Sequence, residues 1–369
     1  MKADRSAGGV ARSLRGLLLV AVTLAMPAAA RAGVKVVEQE GFTLELGMRL
    51  QARMAYDALT GPTGGTDWQR DFMVRRARLK ANGKMHTASY GFEWKIDGTD
   101  QVGSTPSAAV ENAWIQYPLG RGVEVRAGLY DQPYSRDRLT SDSRQLAVDR
   151  SLVSNLPDGL GLADNAVGFH FLGKAFDGRA GYAVGLFDNR FIPGRLQDRP
   201  MVVGRIDVNM GSTKDVYQDA HFGTEKWYSL GVNGSYQTIE RYAGADSFTT
   251  SAVGVDGMVD VPTGIGRVFV KGEFNTIRVE PAGPGAATNT KAFMGAAGLL
   301  ILQERLQPFI RFDEVRLDDL VGGAKTDITY VGVNLYRKGH SLKFQGDLRM
   351  QANTGEPVDG GRLQAQVDF

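Results

Sequence analysis

The chain has 369 residues, with 43 Lys and Arg against 41 Asp and Glu, and no Cys. Zero Cys excludes a disulfide scaffold, thiolate metal sites and cysteine catalysis. A composition 43% hydrophobic and 23% charged is too mixed for a helical membrane protein and too apolar for a disordered chain.

Lys2, Arg5, Arg12 and Arg15 form a positive N-terminal region, and Leu17 to Ala25 is a short apolar run. Ala28, Ala29, Ala30 and Ala32 follow as small residues, so 1–32 reads as a secretory signal with cleavage expected at Ala32/Gly33. The apolar run is too short to span a bilayer, which disfavours the alternative of an N-terminal anchor. Beyond it the balance is 38 basic to 40 acidic residues, so no basic nucleic-acid surface is expected. One domain, 33–369, is expected after export.

From Phe42 onward the sequence alternates. Phe42, Leu44, Leu46, Met48, Leu50, Ala52, Met54 and Tyr56 share one face of a strand; Arg49, Gln51, Arg53 and Asp57 share the other. Near the end, Leu342, Phe344, Leu348 and Met350 oppose Lys343, Gln345, Asp347 and Arg349. The pattern predicts sixteen strands near 42–57, 69–82, 88–97, 108–118, 122–131, 163–173, 178–187, 200–210, 226–238, 247–259, 264–278, 290–302, 307–317, 326–336, 340–352 and 361–369. Long and short links alternate, as in outer-membrane barrels. The link 211–225 breaks this rule, being long where a periplasmic turn is due. The strands reach the roughly 9–11 residues needed to cross a bilayer tilted. Aromatics at strand ends (Phe42, Tyr56, Tyr117, Trp227, Tyr228, Tyr330, Tyr336, Phe369) suggest interfacial girdles. The expected fold is all-β, a 16-stranded antiparallel transmembrane β-barrel rather than a soluble sandwich.

No catalytic constellation is visible. His86, His170, His221 and His340 have no metal-ligand partner at helical spacing, and no HExxH, GxSxG or phosphate loop occurs. Neither enzyme, metal nor cofactor is expected. Asp313-Glu314 and Asp318-Asp319 read as rim charges, with a calcium-type oxygen site as the alternative. On the polar faces of the first, second, third and fifth strands, eight cations (Arg49, Arg53, Arg70, Arg76, Arg78, Lys80, Lys95, Arg126) meet five anions (Glu45, Asp57, Glu93, Asp97, Glu124). A basic lumen favours anions. Facing lipid would cost such charges about 2–4 kcal/mol each at the midplane, which directs them inward. Arg75 falls out of phase with Arg76 and Arg78 and marks either a bulge or an external rim position facing lipopolysaccharide phosphates.

Two segments carry a family likeness. Phe72-Met73-Val74-Arg75-Arg76-Ala77-Arg78-Leu79 is the first. The second runs Arg126-Ala127-Gly128-Leu129-Tyr130-Asp131-Gln132-Pro133-Tyr134-Ser135, then Leu139-Thr140-Ser141 and Asp149-Arg150-Ser151. Together they resemble the phosphate-selective porin O and P family. That resemblance implies a homotrimeric channel in the bacterial outer membrane, with the third external loop, here 132–162, folded inward. Its length and its paired charges agree with that role. Arg76, Arg78, Arg126 and the loop residues Arg136, Arg138, Arg144 and Arg150 are then the expected selectivity residues, with Lys80 and Lys95 extending the basic path. The expected partners are small anionic solutes (phosphate or other oxyanions), outer-membrane lipid and lipopolysaccharide. The alternatives are a general diffusion porin without phosphate selectivity, an outer-membrane barrel enzyme, and a structural or adhesive barrel with a closed lumen. The terminal Phe369 also resembles the assembly signal of such barrels.

Overall fold

The computed structural model describes residues 33–60, 66–97, 107–159, 165–188, 195–197, 199–241, 247–317, 325–352 and 360–369. The expected signal segment and the tips of several long links lie outside the described residues. Sixteen strands form the wall: β1 Phe42–Thr60, β2 Thr66–Met85, β3 Ala88–Asp97, β4 Ser107–Gly120, β5 Val123–Asp131, β6 Asn165–Ala175, β7 Ala180–Asp188, β8 Met201–Gly211, β9 Trp227–Arg241, β10 Phe248–Thr263, β11 Gly266–Pro281, β12 Thr288–Leu300, β13 Leu306–Leu317, β14 Lys325–Lys338, β15 Leu342–Ala352 and β16 Gly360–Asp368. Each pairs antiparallel with the next, and β16 pairs with β1, closing the ring. The Met48 and Phe369 amides each donate to the other's carbonyl, at 2.7 and 3.0 Å, at the closure. These are the sixteen predicted strands one for one. A further short strand, Val34–Gln39, forms a hairpin with the start of β1.

Side-chain parity follows the sequence. Lys343, Gln345 and Asp347 of β15 are buried inside, whereas Leu348 and Met350 face outward, as predicted. Phe72, Val74, Leu230, Val232, Val253 and Val255 are likewise exposed on the outer wall, where lipid tails remove the cost of showing them to water. The girdle expectation holds in part. Tyr56 stacks on Trp68 at 4.7 Å, and Tyr117 is exposed. Trp227, Tyr330 and Tyr336 instead point into the barrel, because their parity places them inward, against loop residues.

Arg75 is a β-bulge. Gln51 pairs with Arg76 and Ala52 with Val74, so Arg75 is the extra residue on β2. The extra residue switches the strand's phase, so Arg75 and Arg76 both reach the lumen. The rim alternative is thereby set aside.

The lumen is filled unevenly. Residues 132–159 leave β5 and turn inward, carrying two short helices, α1 Arg136–Leu139 and α2 Leu152–Gly159. Gly128, just before the exit, has φ +132, and a Cβ there would lie 2.1 Å from the Ala113 carbonyl oxygen. The resemblance motif therefore needs glycine at this point. Leu146 and Val153 of the loop pack against Trp227, Met258, Phe269, Met294, Phe309 and Tyr330 of the wall. A second cluster joins Tyr130 and Tyr134 to Phe187, Met201, Val203 and Ile277.

The link 212–226 also folds inward. It meets the loop from the side of the short turns: the Asp219 amide donates to the Arg144 carbonyl (2.9 Å) and the Leu146 amide donates to Asp219 Oδ2 (3.0 Å). His221 holds it to the wall, with Nδ1 2.9 Å from Asp260 Oδ2 and its ring stacked on Trp227 at 4.0 Å. Its length, anomalous for a turn, is used to fill the barrel.

Candidate pore constriction

The inward loop is fastened from one side of the ring to the other. Arg136, buried at α1, donates to Asp256 of β10 (2.7 Å) and to the Val216 carbonyl (2.7 Å). Lys271 of β11 bridges Asp137 (2.7 Å) and Asp219 (2.8 Å). On β14, β15 and β16, amide side chains take up loop carbonyls. Asn334 and Gln345 donate to Leu146 O at 2.9 and 3.1 Å, and Gln366 donates to Ser143 O at 3.0 Å. These bonds supply partners for an irregular backbone that lies away from bulk water.

What stays open is a polar cavity of about 620 Å³ between the loop and the strands around the β16–β1 closure. Its walls carry ten cations (Arg49, Arg53, Arg75, Arg76, Arg78, Lys95, Arg138, Arg150, Arg349 and Arg362) against seven carboxylates (Asp57, Asp71, Glu93, Glu111, Asp131, Asp142 and Asp149). The register orders the wall cations along the barrel. Arg362 is opposite Ala55, Arg53 is opposite Met73, Arg76 is opposite Gln51, and Arg49 is opposite Arg78, which in turn faces Lys95. From Asp57 to Arg49 this row covers about 26 Å of strand, at roughly 3.3 Å per residue.

Loop carboxylates engage the row. Asp142 lies 3.0 Å from Arg76 Nε, 2.8 Å from Arg150 Nε and 3.9 Å from Arg78 Nη2. Burial alone would raise the Asp142 pKa, but Arg150, Arg76 and Arg78 hold it well below the usual carboxylate range. Asp149 pairs with Arg53 (2.9 Å) and Arg362 (2.8 Å) and is also held low. Glu111 pairs with Arg78 (3.0 Å) and Lys95 (2.6 Å).

Of the expected selectivity residues, Arg76, Arg78, Lys95, Arg138 and Arg150 are brought together around this cavity. Lys80 lies one step along β2, on Asp368 at 2.5 Å. Arg126 is elsewhere: its guanidinium sits 4.3 Å from the Trp114 ring centroid and donates to Gln116. Arg136 is sealed in the packed half. Arg144 pairs with Asp215 (3.1 Å) at the junction with the second inward link. Arg126, Arg136 and Arg144 therefore lie outside the cavity, because the loop's packing turns the last two toward β8–β10 and the 212–226 link. Arg49 and Arg53 were legible as polar-face cations, and period two placed Arg349 inward. Arg362, inward by the same period, is brought beside β1 by ring closure, and Arg75 gains its place from the bulge.

His170, His221 and His340 sit in packed or hydrogen-bonded surroundings. His170 lies edge-on to Tyr130 at 5.1 Å, and His340 Nε2 is 2.9 Å from the Ala220 carbonyl oxygen. Asp313 and Glu314 point to opposite faces of β13, pairing with Arg311 and Arg316, so they do not form a shared oxygen site; Asp318 and Asp319 lie outside the described residues. Among the described residues no cluster of metal-ligand side chains occurs.

Comparison with known proteins agrees with this architecture. Residues 47–186 match the family profile described as phosphate-selective porin O and P. An uncharacterized protein of Aquifex aeolicus (strain VF5) is 22% identical over 353 residues, covering 84% of this chain and 83% of its own length. The anion-selective porin of Comamonas acidovorans superposes with a TM-score of 0.62 at 14% identity, covering 89% of this chain and 100% of that one. The outer membrane channel DcaP of Acinetobacter baumannii superposes with a TM-score of 0.64 at 11% identity, covering 92% and 100%. The chain is thus a bacterial outer-membrane β-barrel of the porin fold that carries, through residues 47–186, the signature of the phosphate-selective porin O and P family.

Proposed function

We propose that this porin is a passive diffusion channel for small hydrophilic solutes that prefers anions, with oxyanions such as phosphate as its favoured class. The observation that carries the reading is the excess of ten cations over seven carboxylates around the cavity beside the inward loop. Guanidinium forks suit planar or tetrahedral oxyanions, because they offer paired donors. A low-dielectric wall focuses their field into the open side of the lumen. Sixteen strands leave room for an aqueous path even after the loops have filled one side. An assembly of three such chains is part of the proposal; a trimer form is recorded for OmpT of Vibrio cholerae, which shares the fold.

The test is the reversal potential of the purified protein in planar bilayers across a dilute KCl gradient, repeated with phosphate added. Chloride preference with phosphate block of the chloride current is the expected result. Anion preference without block would leave a general diffusion porin, and cation preference would remove the anion reading altogether.

A further inference from the structure

On the outer wall, four neighbouring strands carry charge where lipid would be expected. Lys291 of β12 is directly opposite Arg316 of β13, which is directly opposite Lys325 of β14. All three residues have outward parity, so the cations form one lateral row on the lipid side. Like charges placed directly opposite one another are unfavourable in a sheet. The row lies at the end of the barrel that bears the long links, because β12 begins three residues before Lys291 and β14 begins at Lys325.

The next row toward the midplane is Phe274, Phe293, Glu314 and Asp327, each opposite the next. Below it come first Gly272, Gly295, Phe312 and Thr329 and then Val270, Ala297, Ile310 and Val331, both rows in register and free of charge. Depth is therefore marked by the side chains themselves: an apolar band, a step with two phenylalanines, then the cations. Glu314 accepts from Arg316 (2.6 Å) and Lys325 (2.9 Å), and Asp327 pairs with Lys325 (2.8 Å). Both carboxylates lie one pleat deeper than the cations. Approached from the headgroup layer, the surface presents its positive row first. One pleat further out, Arg278 of β11 pairs with Glu280.

We propose that Lys291, Arg316 and Lys325 form a binding site for the phosphate groups of an outer-leaflet lipid headgroup, with its acyl chains lying along Phe274 and Phe293. The site is on the outside of the wall, so it is separate from the lumen cations and does not depend on what the channel conducts. A phosphate carries the charge and the acceptor oxygens to bridge adjacent strands. Near a membrane surface each such cation contributes roughly a fivefold factor to binding of anionic lipid.

The test uses the full-length protein, refolded in neutral detergent and titrated with lipid A, with binding read by native mass spectrometry. The triple variant Lys291→Gln, Arg316→Gln, Lys325→Gln is compared with Lys338→Gln, an exposed cation at the opposite end of β14. Retention of the compact, heat-modifiable band on electrophoresis shows that each variant is folded. Lipid A binding weakened about a hundredfold in the triple variant and unchanged in Lys338→Gln is the expected result. Should the triple variant not fold, the single variant Arg316→Gln, expected to lose about fivefold, takes its place. Dephosphorylated lipid A is expected to bind the wild type as weakly as lipid A binds the triple variant. Equal binding of lipid A by wild type and triple variant, or of dephosphorylated lipid A and lipid A by the wild type, overturns the proposal. Displacement of lipid A by equimolar inorganic phosphate would also overturn it, since the site would then be one for free phosphate.

Discussion

Arg76 Nε lies 3.0 Å from Asp142 Oδ2, tying the wall strand β2 to the inward loop within the cation row. The same carboxylate also reaches Arg150 and Arg78. Asp142 is thus a tethered anion inside a basic cavity, where it both holds the loop in place and offsets charge that a mobile anion would otherwise meet.

Replacing Asp142 by Asn should therefore strengthen anion preference. A unit charge at 4 Å in water is worth about 1 kcal/mol, so the permeability ratio should rise up to about fivefold in dilute salt. The gain should shrink in concentrated salt, as the Debye length falls from about 10 Å at 0.1 M to about 3 Å at 1 M. Reversal potentials of wild type and Asp142→Asn at both ionic strengths check this. An unchanged potential in dilute salt would show that Asp142 does not compete with the permeating ion.

The arginines should divide into two groups by readout. Arg76→Ala and Arg78→Ala should each shift the reversal potential toward cations. Arg136→Ala should leave it nearly unchanged but lower the temperature at which the folded band is lost. It strips Asp256 of a partner at 2.7 Å in the packed half of the barrel, a change that costs about 3 kcal/mol for a buried pair. Arg205, also 2.7 Å from Asp256, keeps that cost at the lower end of the range. Arg126→Ala, which loses its stacking on Trp114, should also leave selectivity unaltered. A selectivity shift in Arg136→Ala equal to that in Arg76→Ala would contradict this division.

The ion pairs made by the loop's own carboxylates should persist until strong acid. Asp137, Asp142 and Asp149 all titrate below an unperturbed carboxylate, through Lys271 and Arg150 for the first, Arg150 and Arg76 for the second, and Arg53 and Arg362 for the third. Carboxylates lowered by folding contribute stability that is present above their unfolded value, about 3.9. That contribution is lost only as pH falls from there through their lower folded values. Current fluctuation from release of these three ion pairs should therefore appear in single-channel recordings only below about pH 4. A step near neutral pH would point to control by other groups.

The barrel was legible because lipid on one side and water on the other impose a two-residue period, which the strands keep except at local bulges such as Arg75. The cavity was legible only in part. Parity places Arg76, Arg78 and Lys95 in the lumen but does not say which lumen-facing cations stay accessible. That depends on the path of 132–159, which buries Arg136 among β8–β10 while leaving Arg138 and Arg150 at the opening. Arg126 shows the same limit: its parity is inward, yet the aromatic face of Trp114 claims it. The out-of-phase Arg75 did carry a signal, since a broken alternation within a long strand marks a bulge.

The packed half of the lumen gives the wall two kinds of strand. Along β10–β13, side chains such as Met258, Phe269, Met294 and Phe309 meet a dry interior, while Val255, Val270, Phe293 and Ile310 meet lipid on the other side. Around the closure, β16, β1 and β2 have lipid outside and the open cavity inside. Backbone amides of the first group have solvent on neither side; those of the second are one side chain from the aqueous path. Deuterium uptake around the ring should accordingly be lopsided, slowest on β11 and β12 and fastest on β1 and β2, although all four belong to the same continuous hydrogen-bonded cylinder.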